Sequence, residues 1–161
     1  MSQQDKKQIF MAATMLLIVA LALPLLASHY RLSSLDQFTE TELEALSAQD
    51  IHTTEDFLRA TLNRESRELL SQNTQIDEID ILVFSRLCEL LQIEGVGPRA
   101  AHLLRAAGVV SLNDLKERDP ASLAETVGRV NAAEQITGIN PSVENLSTWI
   151  ENANGAPYRL E

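Results

Sequence analysis

The sequence predicts an all-α protein, in which an N-terminal transmembrane helix precedes a compact helical domain built from two related units. Three observations lead to this fold class: an uncharged apolar run near the N-terminus, helix-capping residues that recur through the remainder, and the absence of the period-two alternation typical of strands. A length of 161 residues suffices for one domain plus a short extension. Because 45% of the residues are hydrophobic and only one is cysteine, neither a disordered chain nor a disulfide scaffold is expected.

Residues 9–27 form the predicted membrane anchor, an unbroken run without a charged side chain. A helix of this length measures about 28 Å, which is close to the hydrocarbon thickness of a bilayer. Lys6 and Lys7 precede the run, so the positive-inside rule predicts that residues 1–8 are a cytoplasmic tail. The body then lies on the non-cytoplasmic side, which is the periplasm in a Gram-negative cell. A signal peptide cleaved near Ala27 is the alternative, and it places the body on the same side.

Helix starts are predicted where a capping residue precedes an apolar stretch. Thr53 and Ser111 are each followed three residues later by an aspartate, which is the spacing of a capping box. Two further candidates stand immediately before a proline, a residue favoured at the first helical position. Gly108 is placed to take the left-handed conformation that closes a helix starting after Gly97. The predicted N-caps are Thr39, Thr53, Thr74, Ser111, Asp119 and Asn140.

A faint internal repeat predicts that the two units are related. The pairs that match at one constant offset are Leu43 with Ala101, Leu46 with Leu104, Ile51 with Val109, Thr53 with Ser111, Asp56 with Asp114, and Phe57 with Leu115. After a gap, a shorter offset aligns Leu69 with Leu123. The predicted organisation is a linker at 28–34, a degenerate first unit at 35–77, a second unit at 78–153 and a tail at 154–161.

The motif with the clearest mechanism is the stretch LLQIEGVGPRAAHLL at residues 90–104, which has a helix-hairpin-helix pattern. In this pattern two helices meet through a turn of two to three residues, and Gly95 and Gly97 supply backbone angles that a Cβ would forbid. Val96 is predicted to tuck between the helices. Pro98 begins the second helix, whose N-terminal N–H groups form an anion site that DNA-binding members use for a phosphate.

Charge separates two uses of this hairpin. The segment from Gly95 to Val109 contains two arginines, one histidine and no acid, whereas residues 28–161 carry 11 basic and 22 acidic side chains. So few cations predict weak, salt-sensitive binding of nucleic acid, because affinity depends on how many phosphates are neutralised. Helix packing with protein contacts is therefore favoured, and DNA binding is the alternative. The candidate hairpin site consists of Gly95, Val96, Gly97, Arg99, His102 and Arg105.

The sequence contains no recognisable catalytic constellation, so we predict no enzyme, no metal site and no cofactor. His29, His52 and His102 are scattered, without a partner at ligand spacing. Cys88 lies in an apolar stretch and is predicted to be a small buried hydrophobe. Trp149 is predicted to plug the core against the hairpin.

The match continues beyond the hairpin through an Ala-Gly-Val segment, an Asp-Leu pair, a Pro-initiated helix and a Val-Asn pair to a closing Trp-Ile. The matching residues are Gly95, Val96, Gly97, Ala101, Leu103, Leu104, Ala107, Gly108, Val109, Asp114, Leu115, Pro120, Val130, Asn131, Pro141, Ser142, Trp149 and Ile150. Over residues 78–153 the chain thus resembles an uncharacterised bacterial family of helix-hairpin-helix-like domains, a domain of unknown function. This resemblance implies a fold and no established reaction.

The layout of one anchor followed by an external hairpin domain is also similar to membrane-anchored competence proteins, which are DNA receptors. That similarity implies DNA binding. The acidity of the body, and Glu94 immediately before Gly95, depart from it. The expected function is therefore a non-catalytic, membrane-tethered interaction module with a protein partner, and the alternative partner is DNA.

Overall fold

A computed structural model describes residues 29–161, and this part of the chain is all-helical, as predicted. It contains eight α-helices and two short 3-10 helices, Leu32–Ser34 and Ala153–Gly155. None of the helices within residues 29–161 has the length and apolar character needed to cross a bilayer. The predicted anchor at 9–27 and the predicted cytoplasmic tail at 1–8 lie outside the described residues. The α-helices are α1 (Glu40–Ser47), α2 (Thr54–Ala60), α3 (Arg64–Thr74), α4 (Glu78–Leu91), α5 (Pro98–Ala106), α6 (Leu112–Lys116), α7 (Pro120–Glu134) and α8 (Val143–Asn152).

Helix α4 is the element that both halves of the domain contact. It packs against α2 and α3 from the first predicted unit and against α5 and α6 from the second. Eight of its 14 residues are buried. One of them, Phe84, lies with its ring centroid 4.6 Å from that of Phe38 and 4.9 Å from that of Phe57, both at edge-to-face angles. This is a favourable geometry for aromatic rings, so the three rings tie α4 to the first unit.

Most of the predicted helix starts are confirmed. Thr39 and Thr53 form complete capping boxes at α1 and α2. The side chains of Ser111 and Asp119 accept the capping hydrogen bonds of α6 and α7. Gly108 follows α5 with a φ of 88°, the left-handed conformation predicted for it. These features depend on neighbouring residues alone, which is why the sequence predicted them.

Two predicted helix starts are wrong. Thr74 is the last residue of α3, where its hydroxyl donates to the carbonyl four residues earlier, and α4 begins only after Asp77. Asn140 caps no helix. Its side-chain oxygen accepts a 2.7 Å hydrogen bond from Asn131, and Ser142 caps α8 instead. Threonine and asparagine side chains bond to several local or distant groups, so their type alone does not mark a cap.

In both units the turn between the first two helices has the same conformation. After α1, Asp50 has a φ of 58°, and the next N–H donates to the Leu46 carbonyl at 3.1 Å. After α5, Gly108 occupies the same position, and the next N–H donates to the Leu104 carbonyl at 3.0 Å. Both are Schellman closures, in which a left-handed residue ends the helix. The predicted constant offset therefore holds for this turn.

The helix that follows this turn also begins alike in both units. The carboxylates of Asp56 and Asp114 each accept a hydrogen bond from the backbone N–H four residues earlier, at 3.2 and 2.9 Å. A hydrogen bond from Arg118 lowers the pKa of Asp114. Partial burial acts to raise the pKa of Asp56, but hydrogen bonds from Thr53 and the nearby backbone outweigh it and lower this pKa. Both capping carboxylates are therefore stabilised in the ionised form.

The predicted alignment fails in the third helix of each unit. Asn63 and Asp119 are the N-caps of α3 and α7, and their spacing along the chain differs from that between Leu69 and Leu123. Leu69, which the sequence aligned with Leu123, is 57% exposed, whereas Leu123 is 3% exposed. The two leucines therefore do not occupy equivalent positions. Leucine is so common that two leucines can be aligned by residue type alone. The N-caps Asn63 and Asp119 give a different alignment of these two helices.

The predicted linker at 28–34 requires correction, because its described residues, 29–34, belong to the folded domain. Arg31 forms an antiparallel bridge with Thr53, and Leu32 is buried in the core. The short serine-containing segment resembled a linker because the residue that bridges it, Thr53, is distant in sequence.

The predicted tail at 154–161 is likewise part of the domain. The N–H of Leu160 donates to one carboxylate oxygen of Glu89 at 2.7 Å, and Arg86 lies 2.9 Å from the other. Glu89 is only 2% exposed, so its charge would be costly without these two partners. The 156–161 segment therefore helps to stabilise the buried carboxylate on α4.

Replacing Gly108 by alanine is expected to lower the free energy of unfolding by about 1–2 kcal/mol, because a side chain at positive φ is strained. No atom lies within 4 Å of the new Cβ, so backbone strain is the only cost. Gly128, inside α7, is the matched control, and alanine there is expected to stabilise by about 0.5–1 kcal/mol. Trp149 is the single tryptophan of the chain, so its fluorescence in a urea titration reports domain unfolding. Equal effects of the two substitutions would contradict the strain assigned to Gly108.

Candidate functional site

The candidate site surrounds the connection between α4 and α5. Helix α4 ends at Leu91 and α5 begins at Pro98, so the connection has six residues where two to three were predicted. Within it the N–H of Ile93 donates to the Leu90 carbonyl at 3.1 Å, and the N–H of Val96 donates to the Ile93 carbonyl at 3.0 Å. Val96 is buried, which confirms its predicted position. The longer connection is thus a wound, tightly bonded turn.

Gly95 lies directly against Trp149 of α8. Its φ is 86°, and a Cβ added here would come within 3.0 Å of the Trp149 Nε1 atom. Trp149 is buried, which confirms the prediction that it plugs the core against this turn. Two constraints therefore require glycine at this position, the left-handed backbone and the close approach of the indole.

Gly97 is the N-cap of α5, and no side chain of residues 29–161 caps this helix. The first-turn N–H groups therefore have no side-chain acceptor, as a phosphate-binding helix start requires. The Tyr30 hydroxyl, from the segment that precedes α1, lies 3.7 Å from the position of a Cβ on Gly97. The predicted anion site is thus flanked on one side by a tyrosine that the sequence analysis did not connect with it.

Arg99, His102 and Arg105, the side chains predicted for the hairpin site, do not form one cluster. Arg99 and His102 are exposed and lie one turn apart on α5. Arg105 is half-buried, with its Nη1 atom 3.4 Å from the Val110 carbonyl. Burial, together with the charge of Arg86, lowers the pKa of Arg105. At about 100° per residue, Arg105 projects roughly 120° away from Arg99 around the helix, so the exposed pair is Arg99 and His102.

Other reactive side chains are held structurally. Cys88 is buried, and burial raises the pKa of its thiol, which confirms the predicted role of a small hydrophobe. His29 has a partner that sequence spacing did not reveal, since its Nε2 atom lies 3.2 Å from a Glu55 oxygen. Across residues 29–161 no three His, Cys, Asp or Glu side chains are grouped closely enough to hold a metal ion.

An acidic notch, which the sequence analysis missed, lies where α1 and α4 approach each other. Its volume is about 110 Å³, and its lining includes two acidic residues, Asp80 and Glu42. One carboxylate oxygen of Glu42 also accepts the capping hydrogen bonds of Thr39. Val83 lines it and is 47% exposed, while Ile79, one turn earlier on α4, is 75% exposed. The notch is defined by Gln37, Phe38, Glu42, Ile76, Asp80, Val83 and Phe84.

A basic notch, also missed, lies between the first 3-10 helix, α1 and the turn that follows α1. Its volume is about 220 Å³, and it is lined by one arginine, one histidine, two serines and three apolar residues, without an acid. The notch is defined by Arg31, Leu32, Ser33, Leu43, Ser47, Ile51 and His52. Three separate segments supply these residues, so no local motif could have indicated it.

Comparison with known families identifies the domain. The family described as a domain of unknown function, DUF4332, matches residues 36–155, and the chain belongs to it. The match begins before residue 78, so the family domain includes the first unit as well as the region whose resemblance was predicted. No curated protein and no solved structure matches the chain.

Replacing Gly95 by alanine is expected to lower the free energy of unfolding by about 1–2 kcal/mol from backbone strain alone. Displacement of the Trp149 indole adds to this cost and should shift its fluorescence emission. Gly97 is the matched control, because its φ is −86° and its nearest neighbour, Tyr30, is at an ordinary contact distance. Alanine at Gly97 is expected to cost less than about 1 kcal/mol, the usual difference at an N-cap. If urea titrations gave both variants the same stability and emission, the packing role of Gly95 would be wrong.

Proposed function

We propose that this chain is a non-catalytic, membrane-tethered module that docks another protein through the surface where α1 and α4 meet. The observation that carries this proposal is the acidic notch with its exposed apolar neighbours, Ile79 and Val83. Apolar side chains surrounded by charge are the usual composition of a specific protein-binding patch.

The architecture proposed for the module is a pair of helix-hairpin-helix-like units that share α4. The Schellman closure and the carboxylate-capped helix start recur at the same offset along the chain, which supports this interpretation. In the first unit Gln37 and Phe38 stand where Gly95 and Val96 stand in the second, so the first hairpin is degenerate. An aromatic side chain packs at this turn in each unit: Phe38 against Phe84 in the first, and Trp149 against Gly95 in the second.

The partner surface is expected to be basic and amphipathic. Residues 28–90 contain 5 basic and 13 acidic side chains, and Glu42 and Asp80 lie inside the notch itself. A partner helix with an apolar ridge and flanking lysines or arginines would bury Val83 and pair with these carboxylates. Rim charges of this kind accelerate association and make it sensitive to salt, while the apolar contact supplies most of the affinity.

Residues 9–27 supply the proposed tether. Their uncharged, bilayer-length sequence and the preceding Lys6 and Lys7 support a single-pass anchor with the domain on the non-cytoplasmic side. The partner is then an envelope protein or a subunit of a membrane complex. Restriction to the membrane surface raises the effective concentration of such a partner, so a small docking patch is sufficient.

Val83→Lys is expected to weaken recovery of the partner at least tenfold, because it removes the apolar contact and places a cation opposite a basic surface. Ile139→Lys is the matched control, since Ile139 is 86% exposed and lies in the second unit, before α8. The full-length chain and both variants would be purified from membranes in mild detergent, and the stoichiometry of co-purifying proteins measured. Trp149 fluorescence verifies that each variant is folded. A lone monomer at physiological salt, or equal recovery by the two variants, would count decisively against protein docking.

DNA binding at the α5 N-terminus is the second candidate function. Arg99 and His102 are exposed there, no acid occurs between Gly95 and Val109, and no side chain caps the helix. Glu94, which is exposed immediately before the turn, and Tyr30 beside Gly97 restrict the approach of a phosphate. The site therefore supports few phosphate contacts, and its binding to a duplex would be weak.

If DNA is the ligand, Arg99→Glu should abolish duplex binding, because it reverses the principal exposed charge at the helix start. Arg129→Glu, on the exposed surface of α7, is the control with the same change in net charge. Binding of a labelled duplex would be measured by fluorescence anisotropy as salt is raised from about 50 mM, and one or two phosphate contacts predict a logarithmic slope of about −1 to −2. The absence of binding by the unmodified chain at the lowest salt would remove this candidate.

A further inference from the structure

The basic notch is held open by a rigid backbone frame. Arg31 is bridged to Thr53, its carbonyl accepts hydrogen bonds from both the N–H and the hydroxyl of Ser34, and the N–H of Leu32 donates to the His52 carbonyl at 2.9 Å. These bonds fix the two segments that carry Arg31 and His52. Leu32 is 1% exposed and Ile51 is 6% exposed, and they form an apolar floor.

The second unit carries larger side chains at the sequence positions of the two serines. At the offset that relates Ile51 to Val109, Ser47 corresponds to Arg105, whose guanidinium packs back toward the Val110 carbonyl. At the same offset Ser33 corresponds to Leu91, which is buried. In the first unit both positions have small hydroxyl side chains, and these line the cavity of about 220 Å³.

The polar groups that face this cavity suit a phosphate. The Arg31 guanidinium donates paired hydrogen bonds to an oxyanion, and the two serine hydroxyls and the His52 ring supply further donors. Within the described residues, the Arg31 side chain forms no ion pair with an acidic side chain, so its guanidinium is available to a ligand. His52 lies beside Asp56, whose carboxylate is already held by the His52 N–H at 3.2 Å and by Thr53. This chemistry is the reverse of that of the acidic notch, where Glu42 and Asp80 face the cavity.

The position of Arg31 in the chain indicates the source of that phosphate. Arg31 lies four residues after Ala27, the last residue of the predicted anchor. Four fully extended residues cover at most about 14 Å, so this is the greatest distance between Arg31 and the end of the anchor. The headgroup layer of a bilayer is about 5–8 Å deep on each side of the hydrocarbon core. If residues 9–27 anchor the chain in a membrane, as the proposed function holds, the notch lies within reach of lipid headgroups.

We propose that the basic notch binds a phosphate ester, supplied by the headgroup of an anionic phospholipid at the surface of the anchoring membrane. Arg31 and His52 contact the phosphate oxygens, Ser33 and Ser47 donate to them, and the apolar floor accommodates the glycerol carbons. Binding here orients the domain on the membrane, so that the acidic notch is presented to a partner in a constant direction.

The test uses the full-length chain with labelled histidine rings, in a neutral detergent. Short-chain phosphatidylglycerol, short-chain phosphatidylcholine and free glycerophosphate are the three probes, and nuclear magnetic resonance follows each ring. His52 should shift as the probe is added, while His102, in the middle of α5, should not. Tighter binding of phosphatidylglycerol than of the other two probes supports the lipid headgroup. Equal or tighter binding of glycerophosphate assigns the notch to a soluble phosphate ester and overturns the lipid source.

Ser47→Arg is the decisive variant, because it replaces a small lining side chain by a long one, the residue type found at the corresponding sequence position of the second unit. It is expected to weaken the His52 response at least tenfold, although it adds a positive charge. Gln49→Arg adds the same charge outside the lining and should retain binding. Arg31→Gln should weaken binding about tenfold, as loss of a charge-assisted contact does.

Ser33→Leu, which copies Leu91, fills the notch from the other side and is available if Ser47→Arg does not fold by Trp149 fluorescence. Binding by Ser47→Arg as tight as that by Gln49→Arg would show general charge attraction and overturn the notch as a site. Equal shifts of all three histidines would overturn it as well. The protein-docking proposal is tested at Val83 in the other notch, and the glycerophosphate arm needs no membrane, so failure of one proposal is distinguishable from failure of the other.

Discussion

Burial of α4 is the interaction on which the domain depends. Its apolar face supplies core to both units, through the ring of Phe84 on the first unit and through the turn that begins after Leu91 on the second. Neither unit contains a complete core without this helix, because each would lose one wall of its buried interior. Sharing one helix also determines how the two units are oriented, so the acidic notch on α1 and α4 and the exposed start of α5 have a defined separation.

Within this frame, equivalent backbones carry different side chains. The closures at Asp50 and Gly108 have the same hydrogen bonds, and Asp56 and Asp114 each accept the N–H four residues earlier, although only Asp56 completes a capping box. The backbone turns therefore recur while the side chains around them differ. Two notches of opposite charge border α1, one lined by Glu42 and Asp80 and the other by Arg31 and His52. In the second unit Trp149 packs directly against the turn at Gly95. Similar backbone turns therefore carry surfaces of different chemistry in the two units.

The two segments at the ends of the described chain pack onto the helices. Residues 29–34 pair with the start of α2, and residues 156–161 cover the buried Glu89 on α4. The hydroxyl of Tyr158 donates to Glu55, whose other oxygen lies beside His29, so the two segments meet at one carboxylate. Residues from His29 onward are therefore part of the folded core.

By itself the sequence determined the features that neighbouring residues control. The capping box at Thr53, the left-handed closure at Gly108 and the buried place of Val96 follow from side-chain chemistry and backbone sterics within a few residues, and the all-helical class follows from their repetition. The tertiary structure alone decided where Thr74 and Asn140 bond, why Leu69 is exposed, and why Arg105 turns away from Arg99. It alone assembled the two notches as well, because their linings come from segments that become neighbours only when the helices pack. Burial and long-range hydrogen bonding depend on that packing, and no local pattern of residues encodes them.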